Sequence, residues 1–383
     1  MKIAQVAPLH ESVPPKAYGG TERVVHYLTE ALVQQGHEVT LFASADSRTS
    51  AKLHAVIPEA LRLAPEKRDP MACHMLQLAQ VSNIAESFDI IHFHTDYFHF
   101  PLSRKMRTPQ VTTLHGRLDL PDLKPLFDEF LDMPVISIAN HQREPLSMAR
   151  WTDTVYNGIP VDLYDFQANA GDYLAFLGRI SPEKGAEAAI EIALRAGMPL
   201  KMAAKIDVVD REYFETRIRP HLDHPLIEFI GEVDEQGKNE LLGGAKALLF
   251  PIAWQEPFGL VMIEAMACGT PIIAYPRGSV AEVMTDGVSG YIVESEEEAV
   301  SAIARIDQID RGVCRRYFEQ RFSADRMAKN YVNAYQKLMV QQENALSDSG
   351  AFLLNMRKNR KTSPNEIWKQ RLATASTGTS DKL

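Results

Sequence analysis

The chain has 383 residues, with 41 Lys plus Arg against 50 Asp plus Glu and a formal charge of −9. At about 150 residues per domain this length predicts two domains, with cores large enough to need neither a disulfide nor a structural metal. The acidic balance argues against nucleic acid, or an anionic lipid surface gripped by charge alone, as the partner.

Cys73, Cys268 and Cys314 are far apart and odd in number, so they build neither a disulfide framework nor a cysteine zinc site. The first residues carry a short apolar run and then His10 and Glu11, without a signal peptide's apolar core and cleavage site. No run of about 18 apolar residues is present to span a bilayer. A cytoplasmic protein is expected.

In chain order, residues 2–9 read as a buried strand, followed by a loop holding Pro14, Pro15, Tyr18, Gly19 and Gly20. Val24, Val25, Leu28, Ala31 and Leu32 then fall at helical spacing over 21–35, stopped by Gly36. Strands are predicted at 39–43, 87–93, 110–114 and 135–138, with helices around 70–86 and 122–131. Asn157, Gly158, Ile159 and Pro160 mark a break, and the alternation restarts. Strands follow at 173–177, 200–204, 227–230, 247–251, 271–274 and 290–293. Between them, helices are predicted around 182–196, 211–219, 235–243, 259–268, 279–284 and 295–306. Ser181 and Pro182 read as an N-cap and first helical residue. Such alternation predicts an α/β fold of two doubly wound parallel-sheet domains, residues 1–160 and 161–309. Helices are expected over 310–347, with Ser323 an N-cap, and a polar solvated tail over 348–383.

The segment 251–271 reads strand, loop, helix, glycine stop, strand. Glu256 falls at the strand's carboxyl end, where open α/β sheets bind ligands. Gly259 starts the helix, so free backbone N–H groups there face any anion in the cleft. Glu264 lies over a turn further along that helix, so the two carboxylates can hold different parts of one long ligand. Arg179 and Lys184, five residues apart after the second domain's first strand, suit a diphosphate. Gly19 and Gly20 occupy the matching place in the first domain. Ten of the twelve histidines lie in the first 160 residues. In a strand His92 and His94 share a face, and for these two and His99 a metal pair, an acceptor-side lining and plain packing all stay open. His115 ends a strand at the predicted cleft edge.

Taken together, AYGGTERVV, TLHG, NGI, GRISPEKG, FIGEV and EPFGLVMIEAMACGTP, in this order over nearly residues 1–345, resemble the retaining glycosyltransferases of family 4, the "group 1" glycosyltransferases. The resemblance implies the GT-B fold: two Rossmann-like domains facing across a cleft, with the 310–347 helices crossing back to the first. It also implies roles. Arg179 and Lys184 match the pair that neutralises a nucleotide-sugar's diphosphate, and Glu256 the glutamate on the donor sugar's hydroxyls. Backbone amides of Phe258, Gly259 and Leu260 match contacts to sugar and phosphate, and Glu264 the carboxylate on the ribose. Gly19 and Gly20 match the loop that closes over the phosphates. His115 matches the histidine near the sugar's 6-position, and Val233 a contact to the base.

The implied activity is hexose transfer with retention and without a metal or other cofactor, in keeping with the absence of any DxD pair. UDP-glucose is the first donor expected and GDP-mannose the second, with a small-molecule, glycan or lipid-linked acceptor. Residues 1–160 hold 15 Lys or Arg and 18 Asp or Glu, without a basic amphipathic helix, so strong membrane association is not expected. A nucleotide-sugar epimerase of the same fold and a non-catalytic two-domain sugar-binding protein are the competing readings.

Overall fold

In the computed structural model the described residues are 1–359 apart from 17, 18 and 63, with side chains described to residue 344. Met1–Tyr335 is one compact unit holding two sheets, and Gln336–Leu383 is a second. The first sheet has β1 (Lys2–Val6), β2 (Glu38–Ser44), β3 (Lys52–Ile57), β4 (Ile90–Phe93), β5 (Gln110–Thr113), β6 (Pro134–Ser137) and β7 (Arg150–Thr154). Their spatial order is β3-β2-β1-β4-β5-β6-β7, parallel throughout. The second sheet has β8 (Leu174–Arg179), β9 (Leu200–Lys205), β10 (Ile227–Gly231), β11 (Ala247–Phe250), β12 (Ile272–Ala274) and β13 (Gly290–Ile292). Its order is β10-β9-β8-β11-β12-β13, again parallel.

Central strands are apolar because helices cover both faces. All four residues of β4, β6 and β11 are buried. In the second sheet Leu174, Phe176, Met202 and Leu249 pack with Ala189, Ile190 and Ala193 of the helix Ala186–Ala196 and Ala299, Ala302 and Ile303 of the helix Glu296–Ala304. In the first, Val6, Phe42, Ile91 and Phe93 pack with Leu78 and Val81 of the helix Pro70–Asn83.

The structure departs from expectation at three places. β3 and β7 were not predicted; both are edge strands and mostly not buried, so they lack an apolar signature. Ser181 accepts no capping bond: Pro182–Lys184 is a separate 3-10 turn, and the helix begins at Ala186 after Gly185. Gly185 has φ +72°, and a Cβ there would lie 2.0 Å from the Pro251 carbonyl oxygen, so the chain bends before the helix can start. The helices expected over 310–347 are Arg311–Arg321 and Ala324–Asn359, parted at Phe322 and Ser323. There the Ser323 hydroxyl accepts from the Arg326 N–H at 3.3 Å, as the cap reading expects. The last helix overruns into the predicted tail, because Phe352, Leu353, Leu354 and Met356 are compatible with a helix; residues 360–383 lie outside the described residues.

The junction near 160 is held by the returning chain. Ile159 donates to the Phe322 carbonyl at 3.0 Å and accepts from the Ala324 N–H at 2.9 Å. A Cβ on Gly158 would lie 2.4 Å from the Ser323 carbonyl oxygen, so only glycine allows this approach. Beyond it, Tyr331 bonds to Thr113 at 3.0 Å and Tyr335 to His92 at 2.7 Å, both in the first sheet. Among the described residues no helix is long and apolar enough to cross a membrane.

Candidate active site

Strand order reverses between β1 and β4 in one sheet and between β8 and β11 in the other, the places where carboxyl-end loops part to leave a crevice. Loops leaving β1 and β5 meet loops leaving β8, β10 and β11 around a cleft of about 630 Å3. From the first sheet it is lined by Gly19, Gly20 and His115. The second sheet contributes Arg179, Lys184, Val233, Glu256, Phe258, Gly259, Leu260 and Glu264. Every site residue expected from the sequence is therefore brought to one cavity. Tyr18, beside Gly19, lies outside the described residues.

Glu256 is nearly buried, and its Oε2 accepts from Lys184 Nζ at 2.5 Å and from Trp254 Nε1 at 3.0 Å. Lys184 also lies 5.1 Å from the centroid of the Trp254 ring. The backbone of Glu256 is fixed as firmly: its carbonyl accepts from Ser279 N–H at 3.0 Å. A Cβ on Gly278 would come within 2.3 Å of that oxygen, and Gly278 has φ +61°. Gly259, with φ +76°, caps the helix Leu260–Ala267 and turns its first, unpaired N–H groups toward the cleft. On that helix Glu264 accepts from Lys238 Nζ at 3.0 Å and from Tyr164 Oη at 3.3 Å.

The cations of the cleft are not idle. Arg179 pairs with Glu183 and lies 3.3 Å from Asp210 and 3.8 Å from Asp207. Lys205 pairs with Asp207 at 2.6 Å, Arg62 with Glu11, and Arg23 with Glu235 at 2.5 Å. An arriving anion therefore exchanges one set of charged partners for another.

His115 is bound from behind by a relay. Gln5 Nε2 donates to Tyr335 Oη at 3.2 Å, leaving Gln5 Oε1 to accept from His94 Nε2 at 2.7 Å. His94 Nδ1 is then an acceptor, and His115 Nε2 donates to it at 2.9 Å. Burial lowers the His115 pKa to about 4, and it pushes His94 well below the usual histidine range, with His92 and His115 adding to the effect. A neutral His115 keeps a lone pair on Nδ1, fit to accept from a sugar hydroxyl.

The open readings of the other histidines now separate. His92 is wholly buried between Tyr335 Oη and Thr113 Oγ1, each at 2.7 Å, and His99 stacks on Phe93 with centroids 3.7 Å apart. Both are packing residues. Among the described residues no group of three or more His, Cys, Asp or Glu is gathered as a metal would need. Sequence reasoning missed Trp254, Lys238, Gly278 and the backing role of His94. Only His94 left a signal, in its HxH spacing.

The model for glycosyl transferases group 1 matches residues 167–314, and the Glycosyltransferase Family 4 model matches residues 18–161. The chain belongs to glycosyltransferase family 4, group 1. As a family 4 glycosyltransferase it is an enzyme, a hexosyltransferase, and its paired parallel sheets are the GT-B fold. It is similar to the phosphatidyl-myo-inositol mannosyltransferase of Mycobacterium leprae, 25% identical over 82% of this chain and 89% of that protein. Among solved structures, AviGT4, a glycosyltransferase involved in avilamycin A biosynthesis, matches with a TM-score of 0.68 at 25% identity, over 89% of this chain and 98% of its own. Anabaena HepE in complex with UDP-glucose matches with a TM-score of 0.67 at 18% identity, over 88% of this chain and 100% of its own.

Proposed function

We propose that this glycosyltransferase moves a hexose, with retention and without a metal, from a nucleotide-diphosphate sugar to an acceptor hydroxyl. UDP-glucose is the first donor and GDP-mannose the second. The observation that carries the reading is the convergence of the Lys184–Glu256 pair, the amides at Gly259 and His115 on one cleft. HepE, of the same fold, holds UDP-glucose, and the M. leprae relative is named a mannosyltransferase.

In this reading Glu256 takes the sugar's hydroxyls, and the Phe258, Gly259 and Leu260 amides lie against sugar and phosphate. Arg179 and Lys184 take the diphosphate, Glu264 the ribose and Val233 the base. Gly19 and Gly20 close over the phosphates from the other side, and His115 faces the sugar near its 6-position. The bond from the anomeric carbon to the diphosphate oxygen breaks, and its electron pair leaves with the diphosphate. Lys184, Arg179 and the helix-end amides stabilise that charge where it develops. The acceptor oxygen bonds to the same face of the anomeric carbon, and its proton passes to the departing phosphate oxygen. The free thiols Cys73, Cys268 and Cys314 fit a reducing, cytoplasmic setting.

A thermal-shift panel of UDP, GDP and ADP, with nucleotide release from the matching labelled sugars, tests this. Stabilisation by one diphosphate and turnover of its sugar are expected. No stabilisation at millimolar nucleotide would overturn the donor site.

A further inference from the structure

A second cavity, of about 240 Å3, shares Glu22, His115, His10, Thr21 and Gly116 with the cleft. It extends over the carboxyl ends of β1 and β4, where the remaining wall includes His74, His94, Asp96 and Phe98. Glu22 is only 5% exposed, stands in the first turn of the helix Gly20–Gln34, and lines both spaces. It is thus a carboxylate at the passage between them.

The charge of this second space is decided by hydrogen bonds. His74 Nδ1 donates to the Pro70 carbonyl at 2.7 Å, and its Nε2 accepts from Leu9 N–H at 3.3 Å, so its ring is neutral. His94 is neutral because its Nδ1 accepts from His115. Among the described residues lining the cavity none is Lys or Arg, whereas Glu22 and Asp96 both carry carboxylates. Asp96 is held at φ +48°, a conformation aspartate tolerates better than most residues, and the His115 backbone N–H partly offsets the burial of its carboxyl. At the wall Phe98, 39% exposed, stacks on His74 with centroids 5.9 Å apart and planes 17° from parallel. The space is therefore an anion-repelling chamber of hydrogen-bond acceptors beside a flat aromatic face.

We propose that this cavity seats the acceptor, and that the acceptor unit it takes is an uncharged polyhydroxylated ring, a glycosyl residue or cyclic polyol without phosphate. The inference rests on the glycosyltransferase reading and adds the acceptor's chemical class. Hydroxyls of such a ring donate to Asp96 and Glu22, its C–H face lies on Phe98, and its reactive hydroxyl passes between Glu22 and His115 into the cleft. A phosphate in the same place would face two carboxylates, with no Lys or Arg among the described lining residues to offset them. The burial that raises the Asp96 pKa to about 6 makes a second negative charge there costlier still.

The test is nucleotide release by the full chain from the labelled donor that the thermal-shift panel selects. Acceptors are supplied in pairs: methyl glucoside with glucose 6-phosphate, methyl mannoside with mannose 6-phosphate, and myo-inositol with its 1-phosphate. Glucosamine is added as the cationic case. A neutral member is expected to stimulate release at least about tenfold more than its phosphorylated partner. Asp96→Asn should raise the KM for that acceptor about tenfold while moving the donor KM less than about twofold. Phe98→Ala, at a partly exposed position, should raise the acceptor KM as well, and it carries the test if Asp96→Asn fails to fold. Preference for a phosphorylated or amino member, stimulation by no neutral member, or an unchanged acceptor KM in the folded variants overturns the proposal. A wild-type chain that no nucleotide stabilises instead overturns the donor reading.

Discussion

Lys184 Nζ and Glu256 Oε2 lie 2.5 Å apart, joining the turn after β8 to the loop after β11 across the point where the second sheet reverses. The pair is largely withdrawn from water, with side chains 21% and 10% exposed, and Trp254 Nε1 donates to the same oxygen. Each partner orients the other: the carboxylate holds the ammonium at the helix end, and the ammonium fixes the position of the carboxylate that sugar hydroxyls would meet.

Glu256→Gln keeps the shape and removes the charge. Transfer should fall by at least about a hundredfold, and stability by roughly 1–3 kcal/mol because Lys184 loses its counter-charge. Lys184→Met should fall in rate comparably, with weaker nucleotide binding besides. Turnover and urea denaturation of both variants check this; near-wild-type rates in both would remove the pair from the site.

Gly278 offers a test of positioning alone. Its side of the turn lies against the Glu256 backbone, and a Cβ would sit 2.3 Å from the Glu256 carbonyl oxygen at an unfavourable φ of +61°. Gly278→Ala should therefore displace Glu256 without altering any charge, lowering kcat about tenfold or more and leaving the nucleotide thermal shift largely in place. A loss of nucleotide binding equal to the loss of rate would instead show general collapse of the loop.

Most of this site was legible because it is built at strand ends, where apolar runs stop and glycine, proline and charge begin. Glu256, Gly259 and Glu264 could be placed from one segment whose strand, loop and helix are unambiguous. Trp254 and Gly278 could not be assigned roles, because theirs depend on a contact made across the loop rather than on spacing along the chain. The edge strands β3 and β7 were hidden for a related reason: half-exposed strands carry mixed residues such as Lys52, His54 and Asp153 that periodicity does not register. Arg179 was expected to meet a diphosphate, yet its proximity to Asp207 and Asp210 comes from the neighbouring strand-end loop and leaves no local trace.

Glu282 supplies a prediction about how the two sheets are held together. From the second domain it accepts from the backbone N–H groups of Asn140 and His141, each at 2.7 Å, and from Tyr156 Oη at 3.0 Å. It caps a turn of the first domain as an N-cap residue would cap its own helix. Glu282→Ala should cost about 2–3 kcal/mol and increase protease cleavage near residue 157, whereas Glu282→Gln should cost less. Equal stability of wild type and Glu282→Ala would show that the junction is held by the returning chain at Ile159 alone.

The buried histidines predict how stability depends on pH. Burial holds His92, His94 and His99 well below the usual range, with neighbouring histidines adding to the effect at His92 and His94, and it takes His115 to about 4. An unfolded chain protonates these rings near pH 6.5, whereas the folded chain does so only at lower pH. Between those values the unfolded state binds more protons, so their contribution is fully present above pH 6.5 and is lost as pH falls. Asp96, raised by burial to about 6, has the opposite sign: its folded form takes up a proton first and offsets about one histidine between pH 6 and 4. With each fully displaced group worth up to about 1.4 kcal/mol per pH unit, the net loss below pH 6 reaches several kcal/mol. Urea midpoints at pH 7.5, 6.0 and 5.0 should fall in that order, most steeply over the last step. Because His115 stays neutral throughout, kcat should show no acid limb near pH 6.5 from this residue, and a limb there that His115→Gln removes would contradict the relay through His94.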